Sequence, residues 1–158
     1  MDFQKAFDSI KQNTIWAILQ SFGVGTRLIQ ILKDIANRAK SSVKFEKEIG
    51  EWFGTTLGTR QGDPISPTIF ITYLERIMEE FQDRETGTLV QGERINNLKF
   101  ADDIDLIEET YENLDESVQL LNNRAKRAGL KINIDKTKTM IFGKQDIDRE
   151  VIIENKIY

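Results

Sequence analysis

The chain has 158 residues, 39% of them hydrophobic and 30% charged, with a net charge of −4. That composition suits one packed domain over residues 1–158 and excludes wholesale disorder. With no cysteine and no histidine, disulfides, thiolate nucleophiles, cysteine zinc sites and histidine-based catalysis are excluded. Chemistry is left to carboxylates, lysine, arginine, tyrosine or a bound hard cation such as Mg²⁺ or Mn²⁺.

In chain order, Ile15, Ile18, Leu19 and Phe22 recur at helical spacing, with Gly23 as a C-terminal stop. A second helix is expected over Thr26–Asn37, capped by Thr26, with Leu28, Ile31, Leu32 and Ile35 as its buried stripe. Val43 and Phe45 alternate with polar residues, and residues 52–57 read as their partner strand across a turn near Gly50. Ser66 and Pro67 open the longest helix, because serine accepts orphan amides and proline at the first position loses no bond. Phe70, Leu74, Ile77, Met78 and Phe81 give it one apolar face to about Gln82. Two apolar runs, 98–100 and 104–107, flank Ala101, Asp102 and Asp103, which is a hairpin pattern with acids at its tip. Leu114, Val118, Leu121, Ala125 and Ala128 mark a last helix, closed by Gly129. Residues 130–134 and 139–142 read as strands, and 151–158 as a small hairpin. The sum is an α+β fold with a largely antiparallel sheet packed against helices.

No apolar run reaches the roughly 20 residues needed to cross a bilayer. The opening MDFQKAFDSI carries two acids and no apolar stretch, so export has no support. The acidic balance argues against a nucleic-acid surface. The local basic run Arg124, Lys126, Arg127, Lys131, Lys136, Lys138 and Lys144 reads, on composition alone, as a solvated helix end and strand face.

Two features carry chemistry. Asp102 and Asp103 are adjacent carboxylates whose repulsion a divalent cation would relieve, and Asp2 is a candidate third ligand. Taken alone, such pairs more often cap turns or stay solvated. The segment GTRQGDPISPTIF, residues 58–70, is a Gly/Pro loop feeding a helix, where main-chain amides favour an anion or the close approach of a base pair. Alone it also reads as an ordinary turn with a well-capped helix.

Together, DFQKAFDSI, GTRQGDPISPTIF, FADDIDLI and GLKINIDKTKTM occur in the order and at the intervals of motifs A, B, C and D of reverse transcriptases. The RQGDP–SP form and the lysine-rich GLKIN segment resemble non-LTR (LINE-type) retrotransposon enzymes more than retroviral ones, with group II intron enzymes next nearest. The resemblance implies a palm fold, with Asp2, Asp102 and Asp103 as catalytic and metal-binding acids. It implies Mg²⁺ as cofactor, with Mn²⁺ as a substitute. Phe7 matches the aromatic gate beneath the incoming sugar. Arg60, Gln61 and Gly62 match the loop on the incoming nucleotide, and Lys136 matches the motif D lysine near the departing pyrophosphate. Phe100 stands where many relatives carry tyrosine, so a hydroxyl is lost there. Asp8 and Asp105 match no ligand position, and Asp63 reads as a turn residue.

The implied partners are an RNA template, a DNA primer and a dNTP, with no membrane, and the implied compartment is intracellular and nuclear. The resemblance also implies that the chain is cut short at both ends. Fingers upstream, and a primer grip and thumb downstream, would then belong to the parent polyprotein. A second reading, of a different class, is a decayed or reused fragment acting as a non-catalytic interaction module.

Overall fold

The computed structural model describes residues 1–55, 57–59 and 62–143, and beyond these the strand residues 152–153 and 156–157. In chain order the elements are α1 (Ala6–Ser9), α2 (Gln12–Ser21), α3 (Thr26–Asn37), β1 (Lys40–Ser41), β2 (Lys44–Phe45), β3 (Glu48–Ile49) and β4 (Phe53–Gly54). There follow α4 (Ser66–Gln82), β5 (Thr88–Val90), β6 (Glu93–Ile95), β7 (Asn97–Phe100), β8 (Asp103–Leu106), α5 (Tyr111–Ala128), β9 (Ile152–Ile153) and β10 (Lys156–Ile157). Helices and antiparallel strands are mixed, so the α+β class stands. The ladders among the described residues are all two-stranded and antiparallel. The chain divides into two compact units, residues 7–73 and residues 1–6 with 74–158.

In the unit of residues 7–73, Ile15, Ile18 and Leu19 of α2 are buried, as their spacing predicts. Phe22 and Gly23 close α2 by donating their amides to Ile18 and Gln20 carbonyls. The bounds of α3 match the expected helix, but two details differ. Its N-cap is Gly25, with no side-chain cap bond, so Thr26 is the first helical residue rather than the cap. Leu28, Ile31 and Ile35 are half-exposed, and within α3 only Ile29 is buried. Periodicity reports an apolar face, not what covers it.

The strand pairing in this unit also departs from expectation. β2 pairs with β3, Lys44 opposite Ile49, while β4 pairs with β1, Lys40 opposite Gly54. Residues 52–57 therefore do not partner Val43 and Phe45. A tight Glu46–Lys47 connection closes the first pair locally, with Glu46 at φ +51, leaving β4 to reach back to β1. Leu57 bridges Lys11, and Gly58 donates its amide to the Ile10 carbonyl at 2.8 Å. This approach requires a glycine. A Cβ there would lie 2.8 Å from Asp8 Cα and from the Phe7 carbonyl oxygen, and φ is +76.

In the other unit, Leu74, Ile77, Met78 and Phe81 from the second half of α4 are buried, as are Val118, Leu121 and Ala125 of α5. Thr110 caps α5 by accepting the Asn113 amide, and Gly129 ends it at φ +84. β5 and β6, which periodicity did not bring out, form a hairpin through Gln91 and Gly92, both at positive φ, the pattern of a type I′ turn. β7 and β8 form the expected hairpin, with Phe100 opposite Asp103. Asp103 thus opens a strand, and the tip narrows to Ala101 and Asp102.

Residues 1–3 extend this sheet. Met1 and Ile104 exchange both backbone bonds, at 2.6 and 3.0 Å, the signature of an antiparallel hydrogen-bonded pair. On the other side Phe3 bridges Ile132, flanked by Gln4 N–H to Lys131 O and Asn133 N–H to Asp2 O. Residues 1–3 therefore lie between β8 and residues 131–133. Beyond the Ile132 bridge, 130–134 is not a named strand, and 139–142 is coil with Met140, Ile141 and Phe142 exposed. Thr137 accounts for the first of these, because its amide and hydroxyl both bond the Asn133 carbonyl and turn the chain out of the sheet. β9 and β10 pair as a hairpin, as expected for 151–158.

Gly58→Ala is expected to cost at least about 2 kcal/mol, since strain at positive φ adds to a backbone clash. Gly62→Ala, at φ +86 but with open space around its Cβ, should cost about 1 kcal/mol. Urea denaturation of both variants checks the order; equal costs would contradict the close approach.

Candidate active site

The pleat decides which side chains share a face. Met1, Phe3, Ile104, Ile132 and Ile134 point to the core, where Met1 packs on Val118 and Ile134 with Leu106, Tyr111 and Leu114. Strand alternation sends Asp2, Asp103, Asp105 and Asn133 to the opposite face. The Met1–Ile104 pair also fixes the register, so that Asp2 runs opposite Asp103, with Asp102 in the turn beside it. Like charges opposite each other in a ladder are destabilising. An apolar core on one face and local backbone pairing hold them there regardless.

A lysine offsets part of that charge. Lys136 Nζ stands 2.9 Å from Asp2 Oδ2, with Asp2 only 15% exposed and Lys136 70% exposed. Asn133 donates from Nδ2 to the same oxygen at 3.4 Å, a weak bond. The Asp2 hydrogen bond, then the Asp2 charge, push the Lys136 pKa above its ordinary value against desolvation, and the charges of Asp102 and Asp103 add smaller contributions. Asp2 is the acid in direct contact with this ammonium. The turn closed by Thr137 on Asn133 is what presents Lys136 to the cluster.

Oxygen donors of this kind suit Mg²⁺ or Mn²⁺. Among the described residues no three acidic side chains are grouped closely enough to hold an ion, and Lys136 pairs with Asp2 alone of the three. Asp2 Oδ2, already bonded to Lys136 and Asn133, would have to exchange partners.

The remaining site residues belong to the unit of residues 7–73. Phe7 is partly buried and its ring lies against that of Phe70, centroids 4.5 Å apart and tilted by 33°. Thr59 donates its amide to the Phe7 carbonyl at 2.8 Å, tying the loop to motif A. Gly62 is exposed at φ +86. Asp63 accepts the Ile65 amide in an Asx turn and its carbonyl accepts the Ser66 amide, so it is the turn residue expected. Arg60 and Gln61 lie outside the described residues. Asp8 and Asp105 are exposed.

Sequence reasoning missed Asn133 and the backbone of Met1. Asn133 had a signal, a polar residue between Ile132 and Ile134 on a period-two pattern; Met1 had none. Gln12 was also missed: its Nε2 reaches the Thr55 and Gly58 carbonyls at 3.4 and 3.5 Å.

Acids in opposing register on antiparallel backbone, with a lysine paired to one of them, suit a carboxylate-centred palm. The chain belongs to the reverse transcriptase (RNA-dependent DNA polymerase) family, whose model matches residues 1–151. It is 27% identical over 154 residues to a retrovirus-related Pol polyprotein from the type-1 retrotransposable element R2 of Nasonia vitripennis, covering 98% of this chain and 15% of that protein. It is 27% identical over 154 residues to the Pol polyprotein of the type-2 element R2DM of Drosophila melanogaster, covering 98% and 14%. To the transposon TX1 uncharacterized 149 kDa protein of Xenopus laevis it is 24% identical over 165 residues, covering 99% and 13%. The non-LTR resemblance read from motifs A to D agrees with these relatives, of whose length the chain spans about 15% or less.

Ala101 sits at φ +54, the first central position of its two-residue turn, where glycine is favoured. Left-handed strain of about 1–2 kcal/mol exceeds the roughly 0.4–1 kcal/mol of unfolded-state entropy that glycine adds. Ala101→Gly should therefore raise the urea midpoint. A lowered midpoint would contradict the turn geometry.

Proposed function

We propose that this chain is the palm of an RNA-directed DNA polymerase, working within a longer retrotransposon polyprotein. It would join a dNTP to a primer 3′-hydroxyl on an RNA template. The observation that carries this reading is the backbone pairing that sets Asp2 opposite Asp103, with Asp102 in the adjoining turn and Lys136 paired to Asp2. Asp2 and Asp102, with Asp103 beside them, would hold the divalent ion, which when bound supplies positive charge to the phosphoryl oxygens. Lys136, mostly exposed, is long enough to leave Asp2 and face developing negative charge on the departing pyrophosphate. Phe7, with its ring backed by Phe70, would be rigid enough to crowd out a 2′-hydroxyl. Gly62 at positive φ would let backbone approach the incoming nucleotide without a Cβ. Arg60 and Gln61 complete that loop in the proposal.

Primer extension on an RNA template, by the polyprotein carrying this chain, tests the reading. Asp102→Asn should slow extension by at least about 10²-fold, the scale of losing one preorganised charge contact. Parent-like extension by that variant would sink the assignment.

Phe7→Ala should relax the preference for deoxynucleotides on the order of 10-fold while leaving metal affinity unchanged. Single-nucleotide extension with dNTP and rNTP measures this; unchanged discrimination returns Phe7 to the core.

A further inference from the structure

Lys136 meets the acids through its ion pair with Asp2, and its side chain is 70% exposed. Packing therefore does little to fix that side chain, and its place is set by the backbone that carries it. That backbone is the turn of residues 133–137. Thr137 bonds the Asn133 carbonyl twice, from its amide at 3.0 Å and from its hydroxyl at 2.8 Å. Its amide also reaches the Ile134 carbonyl at 3.2 Å. Thr137 is buried, 5% exposed, so water competes little for the hydroxyl bond.

Asn133 ties the same turn to Asp2. Its amide donates to the Asp2 carbonyl at 2.7 Å, and its side chain donates weakly to Asp2 Oδ2, the oxygen that Lys136 also holds. One residue thus serves both ends of the ion pair: its N–H anchors the acid, and its carbonyl anchors the turn that carries the lysine. A threonine hydroxyl bonded four residues back is common wherever a chain turns. Here the turn so closed carries Lys136, and the carbonyl it closes on belongs to the residue paired with Asp2.

We propose that Thr137 is a positioning residue for Lys136, its hydroxyl clasping the Asn133 carbonyl so that the ammonium is carried at a fixed place beside Asp2. The lysine side chain then swings on a stationary base, between Asp2 and the departing pyrophosphate. That second role rests on the polymerase reading; the positioning does not.

The test has two arms. In the 158-residue chain, nitrogen-15 relaxation of the Lys136 ammonium reports how tightly it is held. Thr137→Val, nearly isosteric, removes the hydroxyl bond and keeps the amide bond, and should lower the ammonium order parameter. Thr137→Ser keeps the hydroxyl and should match the parent. In the polyprotein, Thr137→Val should lower kcat for single-nucleotide extension by about 3- to 10-fold, the scale of one neutral hydrogen bond, with KM for dNTP nearly unchanged. In a Lys136→Met background the same substitution should cost nothing further, because the two residues act as one unit. A role in folding alone would lower both backgrounds equally. An order parameter unchanged by Thr137→Val overturns the positioning, and so does a loss of kcat as large with Lys136→Met as without it. An unchanged kcat overturns the role in the reaction. Extension that does not depend on Asp102 means that the polymerase reading has failed instead, and the ammonium measurement then decides alone. Should circular dichroism show Thr137→Val unfolded, Thr137→Ser decides: a lowered order parameter there overturns the proposal.

Discussion

Carboxylates held on one face of a sheet by backbone pairing repel one another, and a cation must offset that repulsion. Asp2 and Asp103 stand in opposing register, with Asp102 in the adjoining turn, and none of them is free to choose another face. A one-residue slip would turn Asp2 and Asp103 to the core and expose Met1, Phe3 and Ile104. The apolar face therefore enforces the acidic one. In the chain by itself Lys136 supplies the offsetting charge, from a turn whose shape Thr137 fixes.

Surrounding elements serve that arrangement by covering the sheet's apolar side. Met1, Leu106, Tyr111 and Leu114 close around Val118 and Ile134, so α5 is positioned by the residues that alternate with the acids. Its ends are well defined, by Thr110 at the start and Gly129 at the finish. Arg124, read from composition as part of a solvated basic run, is instead spent on α4: it donates to the Ile77 carbonyl and pairs with Glu80. Arg124 is thus engaged within the fold rather than presented to solvent as its place in the basic run suggests.

Much of this was legible in the chain. α4 was readable to its bounds because a serine–proline start and an uninterrupted apolar stripe agree, and the β7–β8 hairpin because two apolar runs flank two acids. The four motifs carried the acids, Phe7, the 60–62 loop and Lys136, whereas Asn133, the Met1 backbone and Gln12 were not singled out. What was not legible has physical causes. The two-residue strands β1 to β4 are too short to alternate, so their pairing follows turn geometry that composition does not encode. The stripe of α3 was correctly placed and wrongly buried: Ile35 faces a cavity, and Leu28 and Ile31 are half-exposed away from it. The contact of Lys136 with Asp2 spans almost the whole chain and depends on a turn at 133–137 that was read as the end of a strand. Asn133 and the Met1 backbone matter only through that same long-range pairing.

The central claim, that Asp2, Asp102 and Asp103 form one cation-binding centre, is tested most directly by Mn²⁺ titration of the 158-residue chain followed by electron paramagnetic resonance. A saturable site should appear, weak because phosphate oxygens normally complete the ion's shell. It should be lost in Asp2→Asn and in Asp102→Asn, and strengthened in Lys136→Met, where no ammonium competes. Mn²⁺ binding unchanged by either aspartate substitution would contradict the claim.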